Sequence, residues 1–456
     1  MSALVLLSVL GVVLLYLGLS GAGSGAGASK VLASTAVLGT LGALAVLLRG
    51  PWVNVPDFAH MLAWDAVGIR FSAGILAIAV LVLLFGVDYY AHEAKNVAEQ
   101  FALLVFSLVG ALMLTGYTNL LSLFLGIEVL SIPLYILAGG RRHSFRSGEA
   151  SFKYFLMGSF ASAFLLLGIA FVYGAAGSFE LARIQAVAAN GGILMLLGGF
   201  LVLVGLLFKV AAVPFHFWSP DVYEGAPTLV TAFMATVVKM AAFAGLLRFV
   251  TFSGMPPALG HALIAVAAVT LVVGNVIALR QSYFKRLMAY SSVAHSGFLL
   301  MAVLGGAGAG DALFYYTFTY SLATLGLFVV MTSAKRAANG DEHIRIFRGL
   351  FRANPWMGLV TLLLLLSLAG IPLTAGFMAK FKVFQLALAA GHVKLTVLAV
   401  AMALVGIYYY AVVIREAFSP AEGDAPAPAI TSLNLLVLSL CGIGVVVLGV
   451  VPGLVM

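Results

Sequence analysis

The chain has 456 residues, of which 63% are hydrophobic and only 9% are charged. Soluble globular domains carry about 25% charged residues, so this composition excludes an ordinary water-soluble protein. A net charge of +8 would favour nucleic-acid binding in a soluble chain, but here it reflects orientation in a membrane. Apolar runs of about 18 residues recur along the sequence and predict an all-α polytopic membrane protein.

The sequence carries no recognisable cofactor site. Its single cysteine, Cys441, cannot by itself hold an iron–sulfur cluster or build a zinc site. Neither a P-loop nor a dinucleotide-binding glycine motif occurs. We therefore expect no cofactor, no metal and no nucleic-acid partner for this chain, and whatever work it performs must be driven from elsewhere.

Fourteen membrane spans are predicted in chain order. The first apolar run lacks the basic start of a signal peptide and is interpreted as a retained span. The predicted spans are 3–19, 31–48, 70–87, 99–116, 119–138, 153–174, 192–214, 228–248, 258–279, 287–305, 312–334, 356–390, 396–415 and 431–455.

Two of these spans contain helix-breaking residues. Pro214 interrupts the seventh, and "GIPLTAG" at 370–376 divides the twelfth into two half-helices. The two breaks lie about 165–170 residues apart, as expected for inverted five-helix repeats comprising spans four to eight and nine to thirteen. The chain is predicted to consist of an N-terminal three-helix segment 1–98, a first repeat 99–250, a second repeat 251–418 and a C-terminal helix 419–456.

Basic residues in short loops are concentrated on one side of the predicted membrane, as in the loop from Arg141 to Arg146. The positive-inside rule makes that side cytoplasmic and places both termini on the opposite, periplasmic side.

Four ionisable residues fall deep inside predicted spans: Glu128, Lys209, Lys239 and Lys380. Each costs about 2.5–3.5 kcal/mol to insert, which argues against an accidental placement. We expect Glu128 to form an ion pair with Lys209. A single acid cannot neutralise three lysines, and a buried amine can exist uncharged, which a proton relay requires. Lys382, nearer a half-helix end, is interpreted as snorkelling to the interface.

Two histidines carry alternative interpretations. His295 is either a neutral histidine bonded within its helix or a link in a polar axis across the membrane. His216 follows Pro214 and either lines an access route to the broken seventh span or has a purely local role.

Several stretches resemble a known family: "KVAAVPFHFWSPDVYEGAPTLVTAF", "KRLMAYSSVAHSGFLL", "LAGIPLTAGFMAKFKVF" and "YYYAVVIREAF". They are similar to the antiporter-like membrane subunits of bacterial NADH:quinone oxidoreductase, respiratory complex I, which are related to Mrp-type cation/proton antiporters. The phrase "FWSPDVYEGAPT" favours the subunit N branch of that family.

The resemblance implies a role and a set of residues. It implies a proton-translocating subunit of the bacterial plasma membrane, next to other antiporter-like subunits, with NAD, flavin, iron–sulfur clusters and quinone bound by partner subunits. The matching relay positions are Glu128, Lys209, Lys239 and Lys380, with Lys153 and His295 as further matched residues; His216 is a possible access residue from its position after Pro214 alone.

Three other functions remain open on the sequence. An Mrp-type cation/proton antiporter subunit would use the same lysines without electron transfer. A ferredoxin- or hydrogenase-linked relative of complex I would differ in its electron donor. A membrane scaffold without transport activity would not require the intramembrane charges.

Overall fold

Long apolar runs punctuated by glycine, proline and short polar segments fold into a succession of helices. The computed structural model describes residues 1–20, 28–50, 60–93, 96–141, 143–188, 191–252, 254, 256–420 and 428–455. Among these residues no strand forms, and only isolated antiparallel bridges occur. Twelve of the described helices are long and apolar enough to cross a membrane, so the prediction of an all-α polytopic membrane protein is confirmed.

The helices of the first part of the chain are α1 (Ser2–Leu19), α2 (Ala28–Leu48), α3 (Ala66–Glu93), α4 (Val97–Gly116), α5 (Leu120–Ala138), α6 (Phe145–Ala176), α7 (Leu181–Val187) and α8 (Gly192–Lys209). They are followed by α9 (Trp218–Gly225), α10 (Thr228–Phe233), a π-helical segment (Met234–Val238) and α11 (Lys239–Phe252).

The helices of the second part are α12 (Pro257–Ala278), α13 (Phe284–Val303), α14 (Ala309–Ala337), α15 (Leu350–Ala353), α16 (Pro355–Ala369), α17 (Ala375–Ala389), α18 (Val393–Phe418) and α19 (Ser432–Val450). Short 3₁₀ turns occupy Ile344–Phe347 and Pro452–Leu454.

Helix starts follow from local capping chemistry. The side chain of Asn119 accepts a hydrogen bond from the backbone N–H of Leu121 at 2.8 Å and so caps α5. Asn354 caps α16 in the same way, and Pro355 occupies the first helical position, where its missing N–H costs nothing.

The described chain divides into two units. The first unit comprises Met1–Val210, Gly225–Val230 and Val237–Leu263. The second unit comprises Ala211–Glu224, Thr231–Thr236 and Ile264–Met456.

Within the first unit, α6 and α8 approach closely through glycines. A Cβ added at Gly168 would lie 2.6 Å from the backbone nitrogen of Val202, and one at Gly198 would lie 2.8 Å from the backbone nitrogen of Val172. Membrane helices that lack side chains at such points can bring their backbones into van der Waals contact. This packing fixes α8, and therefore the lysine at its end, against α6.

Both predicted breaks are confirmed as interruptions of the helix. α8 ends at Lys209 and helical structure resumes only at Trp218. α16 ends at Ala369, and α17 begins at Ala375 after a turn in which Gly370 has φ 83° and Leu373 has φ 72°.

Candidate functional site

Lys209 is the last residue of α8 and is buried, with 5% of its surface exposed. Its Nζ donates hydrogen bonds to Ser131 Oγ at 2.7 Å and to Tyr154 OH at 3.0 Å. The carboxyl end of a helix carries partial negative charge, which stabilises an ammonium there. The helix break therefore places this lysine among hydroxyl groups of α5 and α6.

Glu128 lies on α5, one turn before Ser131, and is half-buried. Its Oε1 accepts a hydrogen bond from Ser162 Oγ of α6. Among the described residues no direct salt bridge joins Glu128 to Lys209, although the charge of the Glu128 carboxylate still acts on the ammonium. Two hydroxyl groups bond the ammonium in place of the carboxylate, because Ser131 and Tyr154 lie closer to Nζ.

Lys239 is the first residue of α11 and is 5% exposed. It follows directly on the π-helical segment Met234–Val238. π-helical turns are rare and are found frequently at functional sites. The sequence identified this lysine but not the π-helical turn before it.

Lys153 lies further inside its helix than expected. The predicted sixth span begins at residue 153, whereas α6 begins at Phe145, because Ser144 caps a helix through a polar stretch. Lys153 Nζ lies 2.7 Å from Glu149 Oε1, and the two side chains are 39% and 43% exposed. The pair is therefore partly solvated, unlike Lys209.

In the second unit, Lys380 lies on α17 and reaches back across the break. Its Nζ donates to the backbone carbonyls of Leu368 and Ala369, each at 2.9 Å. These are carbonyls at the end of α16, where no intrahelical partner remains. A buried lysine, 6% exposed, thus caps one half-helix from the other. Lys382, on the same helix, is only half-buried.

His295 of α13 is held between two phenols. Its Nδ1 lies 2.9 Å from Tyr316 OH, and its Nε2 lies 3.1 Å from Tyr410 OH. Tyr410 OH is in turn bonded to Ser291 Oγ. Both ring nitrogens therefore contact hydroxyl groups of other helices, and the role of His295 as a link in a polar chain stays a prediction.

A small cavity adjoins this histidine. Its volume is about 10 Å³, close to the least space that holds one water molecule. Leu368, whose carbonyl binds Lys380, is part of its wall. The cavity is lined by His295, Tyr316, Thr319, Tyr320, Ser367, Leu368, Gly376 and Ala379.

His216 lies in the break after α8 and belongs to the second unit. It is 4% exposed, and its Nδ1 has no hydrogen-bond partner among the described residues. Its ring packs against that of Phe217, with centroids 4.5 Å apart. The predicted access role of His216 stays a prediction.

The sequence did not single out the hydroxyl residues that contact Lys209 and His295. Ser131 and Tyr154 lie in apolar stretches, as do Tyr316 and Tyr410, and such residues commonly fill membrane helices for packing alone. Only their contacts with Lys209 and His295 distinguish them.

The family model described as "NADH:quinone oxidoreductase/Mrp antiporter, TM" matches residues 117–406. The chain belongs to this family. Members of the family among curated proteins include NADH-quinone oxidoreductase subunit N of Cytophaga hutchinsonii, 38% identical over 99% of this chain and 98% of the relative. Subunit N of Trichlorobacter lovleyi is 36% identical over 99% and 94% of the two chains.

Two solved structures share the fold of this chain. A chain of respiratory complex I from Thermus thermophilus with bound aureothin is 35% identical, with a TM-score of 0.83 over 99% of this chain and 98% of that one. A chain of the Mrp complex from Dietzia sp. DQ12-45-1b reaches a TM-score of 0.84 over 99% and 95% of the two chains. At 19% identity that second likeness concerns the fold alone.

Proposed function

We propose that this chain is a proton-translocating membrane subunit of an NADH:quinone oxidoreductase in a bacterial plasma membrane. Its relatives of 36–38% identity over almost the whole chain carry that complex's name, which supports the assignment. NAD, flavin, iron–sulfur clusters and quinone would be bound by partner subunits. Fourteen spans, five-helix inverted repeats and periplasmic termini belong to the same proposal.

The observation that carries the proposal is the bonding of the buried lysines. Lys209 donates to two hydroxyl groups, and Lys380 donates to two backbone carbonyls. Neither set of partners carries a full negative charge, and a low-dielectric site favours the neutral form of an amine. Each group is thereby suited to receive and release a proton.

The proposed relay uses groups of both units. Glu128, Lys209 and Lys239 serve in the first unit, with Lys153 at the access side. His295 and Lys380 serve in the second, with His216 as a further access residue. Electron transfer elsewhere in the complex would shift the charge balance around Glu128, and the proton held by Lys209 would then move on.

Membership in the complex is tested by a tagged chain. Membranes are solubilised gently, and a native gel is stained for NADH-dependent reduction of an electron acceptor. Co-migration of the tag with that activity is expected. A smaller complex without NADH activity, but with Na⁺-dependent proton exchange in vesicles, would establish the antiporter alternative instead.

The relay is tested by Lys239→Ala in the assembled complex, with the exposed Lys394→Ala as the control. A positioned proton-transfer group contributes about 10²–10⁴-fold to its step. We expect proton pumping per NADH oxidised to fall at least tenfold in Lys239→Ala and to be unchanged in the control. Full pumping by an assembled Lys239→Ala complex would contradict the relay.

A further inference from the structure

A second cavity lies in the first unit, and none of the relay lysines already described is among the residues that line it. Its volume is about 310 Å³. Two of its lining residues, His60 and Glu180, approach each other to 3.3 Å between Nδ1 and Oε1 and have side-chain exposures of 76% and 33%. The cavity is lined by His60, Thr118, Glu180, Leu181, Ala182, Gln185 and Arg248. We call it the α7 vestibule.

Arg248 also lines the vestibule and is less exposed than His60 and Glu180, with 11% of its side chain accessible. Its Nε donates to the carbonyl of Tyr117 at 2.5 Å, and its Nη1 donates to the carbonyl of Thr115 at 3.3 Å. Nη2 donates to the carbonyl of Ala63 at 3.1 Å, and Nη1 also lies 3.2 Å from Asp65 Oδ2. The guanidinium is thus held by three backbone carbonyls and one carboxylate where Arg248 lines the vestibule.

Arg248 and Lys239 lie on the same helix, α11. They are nine positions apart, which is about 13.5 Å along a helix axis. The intervening residues 240–247 are apolar and buried. A proton that left Lys239 toward the vestibule would therefore pass this buried apolar segment of α11 and then meet the guanidinium of Arg248.

A guanidinium suits this position for two reasons. It does not release its proton at any physiological pH, so it cannot serve as a relay group. Its positive charge also repels hydronium and other cations, as arginines do in the pores of selective channels.

We propose that Arg248 is the seal of the first unit, an electrostatic barrier that prevents protons from passing between Lys239 and the α7 vestibule. The inference rests on the proposed function, because a seal is needed only where Lys239 carries protons. Asp65 holds the guanidinium from the exposed side and is a positioning residue. The three backbone carbonyls fix its place even without that carboxylate.

The seal is tested by passive proton leakage, in the absence of NADH. The purified assembled complex is reconstituted into liposomes, a pH gradient is imposed, and its decay is followed with an internal fluorescent pH probe. Arg248→Met removes the charge, and we expect the gradient to decay roughly tenfold faster, at the low end of the effect of local fields on ion access. Arg248→Lys and Asp65→Asn keep a positive charge there and are expected to stay close to the wild-type rate.

Two further variants separate a seal from a structural defect. Arg183→Met removes the charge of an exposed arginine on α7, a helix that lines the vestibule. The pH gradient should decay at the wild-type rate in this variant. Lys239→Ala combined with Arg248→Met should leak less than Arg248→Met alone, because the leak is expected to run through Lys239. A merely loosened structure would leak equally with or without Lys239.

The proposal is overturned if an assembled Arg248→Met complex holds its gradient as well as the wild type. Arg248→Gln provides the same test with an amide that still bonds a carbonyl, should the methionine variant fail to assemble. If Arg248→Lys leaks as fast as the neutral variants, the charge is not the barrier. If the seal proposal is wrong, the proposed role of this chain in NADH-driven pumping is unaffected. If the relay proposal is wrong, Lys239→Ala will show full pumping in the NADH-driven assay.

Discussion

At the scale of single residues, the environment of an amine distinguishes otherwise similar lysines. Lys380 and Lys382 are two positions apart on α17, yet the first is 6% exposed and bonds two helix-end carbonyls, while the second is half-buried. Successive helical positions differ by about 100°, so the two side chains leave the helix in different directions. Chemical identity alone therefore does not define the relay.

This difference predicts unequal effects of the same substitution. Lys380→Ala should reduce NADH-driven proton pumping by roughly 10²-fold, because it removes a proton-transfer group. Lys382→Ala, its matched control, should retain most of the pumping rate. Both are measured as quenching of a pH-sensitive dye in inverted membrane vesicles. Equal severity would overturn the assignment of the relay to Lys380.

At the scale of secondary structure elements, the close approach of α16 and α17 requires a glycine at position 376, because there is no room for a Cβ atom. A Cβ at Gly376 would lie 1.8 Å from the backbone oxygen of Ser367. The N–H of Gly376 also donates to Ser367 Oγ at 3.1 Å. The two half-helices thus meet backbone to backbone at the point where Lys380 crosses the break.

Gly376→Ala should therefore separate the half-helices and displace Lys380 from its carbonyls. We expect a loss of about 3 kcal/mol or more of unfolding free energy, at the upper end of overpacking effects. Pumping should fall as well. Gly260→Ala is the control, since a Cβ there meets nothing within 4 Å. Thermal unfolding of the solubilised complex measures both variants, and equal midpoints would argue against this reading of the turn.

Much of the element-level structure followed from the sequence. Apolar runs predicted the spans, and "GIPLTAG" predicted the break between α16 and α17, because glycine and proline act locally. The π-helical segment Met234–Val238 was not predicted, since nothing in "MATVV" differs from an ordinary apolar helix. The start of α6 was missed because "FRSGEASF" has the composition of a loop, although Ser144 caps it as a helix.

The candidate site was predictable to the extent that charge burial is costly. Glu128 and the three central lysines are conspicuous in apolar runs, and the structure places each within a helix or at a helix end. The hydrogen-bond partners of the site residues were not predictable. Ser131, Tyr154 and Tyr410 are distinguished from other residues of the apolar runs only by their contacts in the folded chain. The carbonyls that bind Arg248 come from backbone, which no side-chain pattern reveals.

At the scale of the whole molecule, a charge cluster ties distant parts of the second unit together. Lys285, at the start of α13, is fully buried and lies 3.2 Å from Glu342 Oε1. Lys335, at the end of α14, lies 2.5 Å from the same oxygen. Burial by itself raises the pKa of Glu342, but the positive charges of Lys285 and Lys335 outweigh it and hold the pKa below the usual 4.5.

A lowered carboxyl pKa makes stability depend on pH in one direction. The ionised Glu342 contributes to the free energy of unfolding. This contribution is fully present above the carboxyl pKa of the unfolded state, near 4.5, and is lost as the pH falls through the lower pKa of the folded state. The unfolding midpoint should therefore fall as the pH is lowered below about 4.5. Glu342→Gln should lower the unfolding free energy by about 3 kcal/mol at pH 7, because two lysines lose their counter-charge.

The same variant should also show a flatter acid dependence than the wild type. Asp341→Asn is the control: the neighbouring carboxylate accepts a hydrogen bond from the N–H of His343, within an exposed turn. Its unfolding curve at pH 7 should match the wild type. A wild-type acid profile retained by Glu342→Gln would assign the pH dependence to other groups.

The bonding of Lys380 also makes proton transfer and backbone geometry a single linked equilibrium. The ammonium offsets the partial negative charge at the end of α16 through Leu368 and Ala369. Thermodynamic reciprocity then applies: any displacement of α17 against α16 that changes these bonds changes the affinity of Lys380 for its proton, and each protonation event exerts the same free energy on the displacement. In the proposed relay, the interrupted helix therefore couples a displacement of α17 against α16 to the charge on one amine.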